Sequence, residues 1–189
     1  MFPIFFILLR YSWAQCPCAN PRWCRPVPLE QVRRPQVFAF SPGDIPGIWR
    51  HFDWARVTTI AWNLDKELLC HAHAHHVQVV IRHDFNDVDN LCNPTARRTW
   101  IEATYTRIVA NYADGVNIDT EAAMHGPSAS CQTVLVKELR HYLSQREFTQ
   151  HAQITFDVPW APHGVDGRYY DWTSLSQSVD YFFVMAVRA

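Results

Sequence analysis

The chain has 189 residues, a formal net charge of -1 at neutral pH and an apolar fraction of 48%. That is enough for one domain with a substantial core, and too little charge for nucleic acid or an anionic membrane to be expected as a partner. With 10 histidines, the chain turns clearly cationic in mildly acidic solution.

Residues 1–15 read as a secretory signal. An apolar run from Phe2 to Leu9 is too short to cross a bilayer, Arg10 interrupts it, and cleavage is expected near Ala14 or Gln15. Residues 16–35 are rich in Cys and Pro, with Cys16, Cys18 and Cys24 set among Pro17, Pro21, Pro26 and Pro28. Cys70, Cys92 and Cys131 bring the count to 6. An even number in an oxidising compartment predicts disulfides, with the pairing left open. A zinc site on the first three is the rival, but it lacks the usual second Cys pair.

From residue 36 the chain alternates. Strands are expected at 36–40, 57–62, 77–81, 114–121, 152–158 and 181–185. Residues 45–54 read as a loop with one helical turn, and 65–75 as a helix with Leu68, Leu69 and Ala72 on one side. After a loop over 84–93, a long helix covers 94–112, where Trp100, Ile101, Tyr105, Ile108 and Tyr112 recur at three- and four-residue steps. Asn93 followed by Pro94 suits its first turn. That proline also blocks the sequon ending in Thr95. A further helix covers 130–146, with Val134, Leu135, Leu139, Tyr142 and Leu143 inward, and a short one lies around Trp172 and Leu175.

Strands alternating with helices imply a parallel sheet with crossover helices. An open doubly wound sheet and a (β/α)8 barrel both fit. The first strand ends in Ser41-Pro42-Gly43-Asp44, which is no phosphate loop. Polar residues gather instead at the strand C-termini: Asn63, residues 82–84, Asp119, Glu121, Asp157 and Trp160. A barrel concentrates its chemistry there, so the α/β barrel is the expected fold.

The stretch 114–121, DGVNIDTE, carries the chemistry. On a strand, Asn117, Asp119 and Glu121 share one face, and Val116, Ile118 and Thr120 the other. Buried carboxylates cost several kcal/mol or shift their pKa, so a row of them points to catalysis. The plainer reading is a strand running out into an acidic loop.

Asp114, Gly115, Asp119 and Glu121 match the DGxDxDxE signature of glycoside hydrolase family 18, and Asn117 stands where that motif has Asp. The blocks 16–24, 68–84, 153–162 and 181–185, in this order, resemble the lysosomal branch of the family. The resemblance implies a TIM barrel of the chitinase type and retaining, substrate-assisted hydrolysis of β-1,4 bonds next to N-acetylglucosamine. It implies the N,N'-diacetylchitobiose core of asparagine-linked oligosaccharides as substrate, with release of the reducing-end N-acetylglucosamine. Glu121 is the implied proton donor, kept protonated by repulsion from an ionised Asp119. Asp119 orients the acetamido group and stabilises the intermediate, Asn117 supports Asp119 by a hydrogen bond, and Asp114 is structural. Trp160, Asp157 and Trp62 are candidate substrate contacts, the two Trp as stacking faces for sugar rings, with a place in the core as the plainer reading of each Trp. No cofactor or metal is expected, the chain is expected to be a monomer, and the implied location is the lysosome, reached through the secretory pathway.

One departure is evident. After Met185 the chain reads Ala186-Val187-Arg188-Ala189, where the family continues with Tyr-Asp. The expectation is a barrel that stops after about six strands, with unpaired outer edges and little activity of its own. A non-catalytic, lectin-like sugar binder is the alternative, although such proteins commonly lose the acid and this chain keeps Glu121. His71 and His75, four apart, share a helical face that could take a metal. The reading adopted for the run His71, His73, His75 and His76 is a histidine-rich surface helix.

Overall fold

Val116, Ile118, Ile154, Phe156 and Val158 occupy alternate positions of two strands and are all fully buried. A computed structural model describes residues 15–32, 35–62 and 64–186. The expected signal segment over 1–14, Asn63 and residues 187–189 lie outside the described residues. Six strands form one sheet: β1 Phe38–Phe40, β2 Thr59–Ala61, β3 Gln78–Arg82, β4 Gly115–Ile118, β5 Gln153–Pro159 and β6 Tyr181–Met185. Every pairing is parallel, and the strand order is the chain order. A doubly wound sheet reverses direction at a switch point; this one never does. It curls instead, so that Phe183 on the sixth strand packs edge-on against Phe40 on the first, with ring centroids 4.6 Å apart. The expected architecture is therefore present as a half-barrel. Its central strands β2 to β5 are buried, whereas Phe183 and Val184 on β6 are exposed.

Among the described residues four α-helices accompany the sheet: α1 Lys66–Ala74, α2 Pro94–Ala110, α3 Pro127–Ser144 and α4 Trp172–Leu175. Asn93 caps α2 by accepting from the Thr95 amide at 2.9 Å, with Pro94 in the first turn. The third helix begins at Pro127, three residues before the expected start, because Gly126 ends the preceding loop at a φ of 54° and proline at the first position needs no hydrogen-bonded amide. Trp100, Ile101 and Ile108 from α2 and Leu135, Val136, Leu139 and Leu143 from α3 cover the outward side of β3 to β5. Each such large side chain contributes about 1.5–3 kcal/mol by leaving water.

The inward side is polar. Gln153 Nε2 donates to Gln78 Oε1 at 3.1 Å near the strand starts, and Asn117, Thr155 and Asp157 meet higher up. Gly115 lies beside Gln153, and a Cβ there would stand 1.9 Å from the Gln153 carbonyl oxygen. The glycine of the motif thus permits the close approach of β4 and β5.

All six cysteines are bridged, as Cys16–Cys24, Cys18–Cys70 and Cys92–Cys131. Cys16, Cys18 and Cys24 do converge, but their sulfurs are spent in disulfides and are not thiolate ligands. Cys18–Cys70 fastens the Pro-rich segment to α1 across 52 residues. Replacing both partners by serine is expected to cost about 4 kcal/mol, from the loop-entropy relation, read as a lower urea midpoint.

One expectation is corrected here. His73 is not a surface residue: it is 4% exposed and faces the Pro-rich segment, opposite His71 and His75. A helix turns about 100° per residue, so alternate histidines cannot all share its solvent side.

Candidate active site

The functional side chains sit where β2 to β5 end. Asn117 is the last inward residue of β4, and its registered neighbours are Arg82 on β3 and Thr155 on β5. Both of its amide hydrogens are used, and its oxygen accepts once. Nδ2 donates to Thr155 Oγ1 at 2.9 Å and to Asp157 Oδ1 at 2.7 Å, and Oδ1 accepts from Trp62 Nε1 at 2.6 Å. The expected bond from Asn117 to Asp119 is therefore replaced by bonds to Trp62 and β5. Neighbours in register across the sheet lie nearer to it than the next inward residue of its own strand.

Asp119 follows the strand end and is held from β3. Its amide donates to Asp84 Oδ1 at 2.7 Å, and its Oδ2 meets Arg82 Nη2 at 3.1 Å. Arg82 Nε in turn donates to Asp84 Oδ2 at 2.7 Å, and its guanidinium lies 4.6 Å from the Trp62 ring. Trp62 holds a φ of 86°, a conformation rare for a bulky residue and commonest where surrounding contacts enforce it. Asp119 Oδ1 is buried with no hydrogen-bond partner. Such an atom calls for an explanation, with a catalytic role, a water or an ion among the candidates.

Glu121 leaves the strand alternation. The strand ends at Ile118, and the Glu121 side chain is 56% exposed, accepting from Arg168 Nη1 at 3.1 Å. Arg168 is itself buried and also approaches Asp166. It belongs to the loop after β5, which is zipped to the loop after β4: Met124 N donates to Gly167 O at 2.8 Å, and Tyr169 N to Met124 O at 3.0 Å. The Tyr170 hydroxyl donates to the Thr120 carbonyl beneath them.

The structure thus brings Asn117, Asp119, Asp157 and Trp62 together and sets Glu121 at the edge of the group. Trp160, one residue past β5, is 39% exposed and takes no part in this network among the described residues. Arg82 and Asp84 were visible in the sequence as polar residues at a strand end but carried no assigned role. Arg168 had no signal, because it sits in a loop outside any motif.

Burial drives the Asp119 carboxyl up to about 6; Arg82 opposes this, and Glu121 and Asp84 add to it. Burial likewise drives Asp157 up to about 7 against the hydrogen bond from Asn117, with Asp119 and Asp84 adding to the rise. In the unfolded chain an aspartate titrates near about 3.9. The folded state therefore holds more protons between those values. The stabilisation is present on the acid side and is lost as pH rises through about 6 and about 7. The melting temperature is expected to fall between pH 5 and pH 8, and Asp157→Asn to flatten the upper part of that fall. An unchanged slope in the variant, followed by thermal unfolding across that range, would remove Asp157 as a cause.

No protein-family model matches the sequence. Curated relatives do. The chain is 36% identical over 186 residues to the di-N-acetylchitobiase of Mus musculus, covering 95% of this chain and 48% of that protein. It is 38% identical over 131 residues to the di-N-acetylchitobiase of Bos taurus, covering 66% of this chain and 71% of that one. Among solved structures, a GH18 chitinase from Cycas revoluta in complex with (GlcNAc)3 superposes with a TM-score of 0.64 at 13% identity, over 79% of this chain and 54% of that one. At that identity the likeness concerns the fold. The chain spans about half the length of the mouse relative.

Proposed function

The chain belongs to the di-N-acetylchitobiase family, and on that footing we propose that it serves hydrolysis of the β-1,4 bond in the N,N'-diacetylchitobiose core of asparagine-linked oligosaccharides, releasing the reducing-end N-acetylglucosamine. The observation that carries this reading is the buried Oδ1 of Asp119, which makes no hydrogen bond among the described residues, beside an Oδ2 paired with Arg82. An acetamido N–H is a donor of the kind that oxygen lacks. Accepting it turns the acetamido oxygen toward the anomeric carbon, so that the substrate supplies its own nucleophile. The carboxylate of Asp119 then lies against the positive oxazolinium that forms. Glu121, partly exposed at the rim, delivers a proton to the leaving oxygen after turning from Arg168, and recovers it from water. Trp62, Asp157 and Trp160 are the proposed sugar contacts, with Asn117 fixing the first two. Three disulfides support passage through the secretory pathway, and a fold that gains stability toward pH 5 suits an acidic compartment such as the lysosome.

The test is to incubate the chain at pH 7, above the Asp119 value of about 6, with a reducing oligosaccharide that ends in N,N'-diacetylchitobiose and to measure free N-acetylglucosamine, with sugar binding followed by tryptophan fluorescence. Release of the monosaccharide supports the reading. Binding without release favours the lectin-like alternative. Neither binding nor release overturns both.

A further inference from the structure

A second group of chemically capable side chains lies on α1, outside the barrel and apart from the carboxylates. His71 and His75 are one helical turn apart, with ring centroids 4.7 Å from each other and planes inclined at 43°. Residues spaced by four share a helix face, and paired imidazoles at this spacing are a recurrent way of gripping a metal from a helix. The rings are not loose. Trp54 packs against both, at 4.5 Å from His71 and 5.6 Å from His75, and Trp49 lies 5.5 Å from His71. The helix beneath them is anchored by buried Leu68, Leu69 and Ala72 and by the Cys18–Cys70 disulfide. Glu67, one turn before His71, lines the same surface groove of about 660 Å³, its Oε2 now 2.5 Å from Arg50 Nη2.

We infer that His71 and His75 form a bidentate site for a borderline divalent transition-metal ion such as zinc, nickel or copper. Imidazole suits these ions, whereas calcium and magnesium require oxygen ligands. Both residues project from one anchored helix, so taking up an ion needs no further ordering of the backbone. The open groove leaves its remaining positions to water, or to Glu67 once released from Arg50. His73 is excluded from this site, since both of its ring nitrogens are engaged on the opposite face of the helix.

The experiment titrates the full chain with copper(II) alone and follows tryptophan fluorescence, which a bound copper ion beside Trp54 quenches. A parallel measurement reads the rise in melting temperature with zinc, since an ion bound only to the folded state stabilises it. Quenching at micromolar copper is expected, with binding at least about tenfold weaker, roughly one unit of log Kd, in His71→Ala and in His75→Ala. His76→Ala, outside the pair, should bind as the parent does. If His71→Ala perturbs the packing against Trp54, as judged by near-ultraviolet circular dichroism, His75→Ala decides alone. Equal copper affinity and equal zinc stabilisation in the parent and in His75→Ala overturn the assignment.

Discussion

Glu121→Gln is expected to lower release of N-acetylglucosamine by about 10²–10⁴-fold, the usual weight of a positioned general acid, with sugar binding nearly unchanged. The amide keeps the shape of the side chain and can still accept from Arg168 Nη1, now 3.1 Å from the carboxylate. The loop pairing that seats Arg168 is therefore preserved, and what disappears is the transferable proton. Asp119→Asn should instead weaken both binding and turnover. Its position is fixed through the backbone amide bond to Asp84 and the contact with Arg82, and its charge is what the positive intermediate needs. The pair of variants separates the two roles by the split between kcat and KM. Equal rates for Glu121→Gln and the parent would withdraw Glu121 from proton transfer.

Much of this arrangement is legible in the sequence. The alternation of buried β-branched runs with helical spacings specifies parallel strands and crossovers. The absence of a phosphate loop after the first strand, together with polar residues at the later strand ends, favours the barrel over the doubly wound sheet. The inward direction of Asn117 and Asp119 follows from the period of a strand, and the alternation fails only at Glu121, because β4 ends at Ile118. What could not be read is whatever depends on neighbours distant in the chain. Arg168 reaches Glu121 from 47 residues away, out of an irregular loop with no periodic signature. Asn117 engages Asp157, 40 residues on, because β4 and β5 lie in register. Likewise the run of four histidines could not reveal that His73 alone turns inward, since that depends on where the Pro-rich segment docks.

That inward turn supports the second large effect. Asp114→Ala is expected to destabilise the fold by about 3–5 kcal/mol, the usual cost of removing one partner of a buried charged pair. The Asp114 carboxylate accepts from the Val27 amide at 2.7 Å and from the Val79 amide at 2.6 Å, and meets His73 Nε2 at 2.9 Å. His73 Nδ1 lies 2.7 Å from the Trp23 carbonyl oxygen. A carbonyl and a carboxylate only accept, so both ring nitrogens donate and the imidazole carries its charge. One carboxylate thereby joins the Pro-rich segment, α1 and β3 at the foot of the barrel. Without it, two buried amides and an imidazolium lose their acceptor together. Burial alone lowers the His73 pKa, but the charge of Asp114, its hydrogen bond and the Trp23 carbonyl outweigh burial and leave the pKa raised. A raised histidine pKa gives stability that is complete below about 6.5 and is lost as pH climbs through the folded value. The deficit of Asp114→Ala relative to the parent should therefore be largest at pH 5–6 and shrink toward pH 9. In a double-mutant cycle, His73→Ala and Asp114→Ala together should cost less than the sum of the two single changes. Additive losses in urea unfolding, with a deficit independent of pH, would show that the two side chains act separately. That result would leave the Pro-rich segment held by the Cys18–Cys70 disulfide and its apolar contacts.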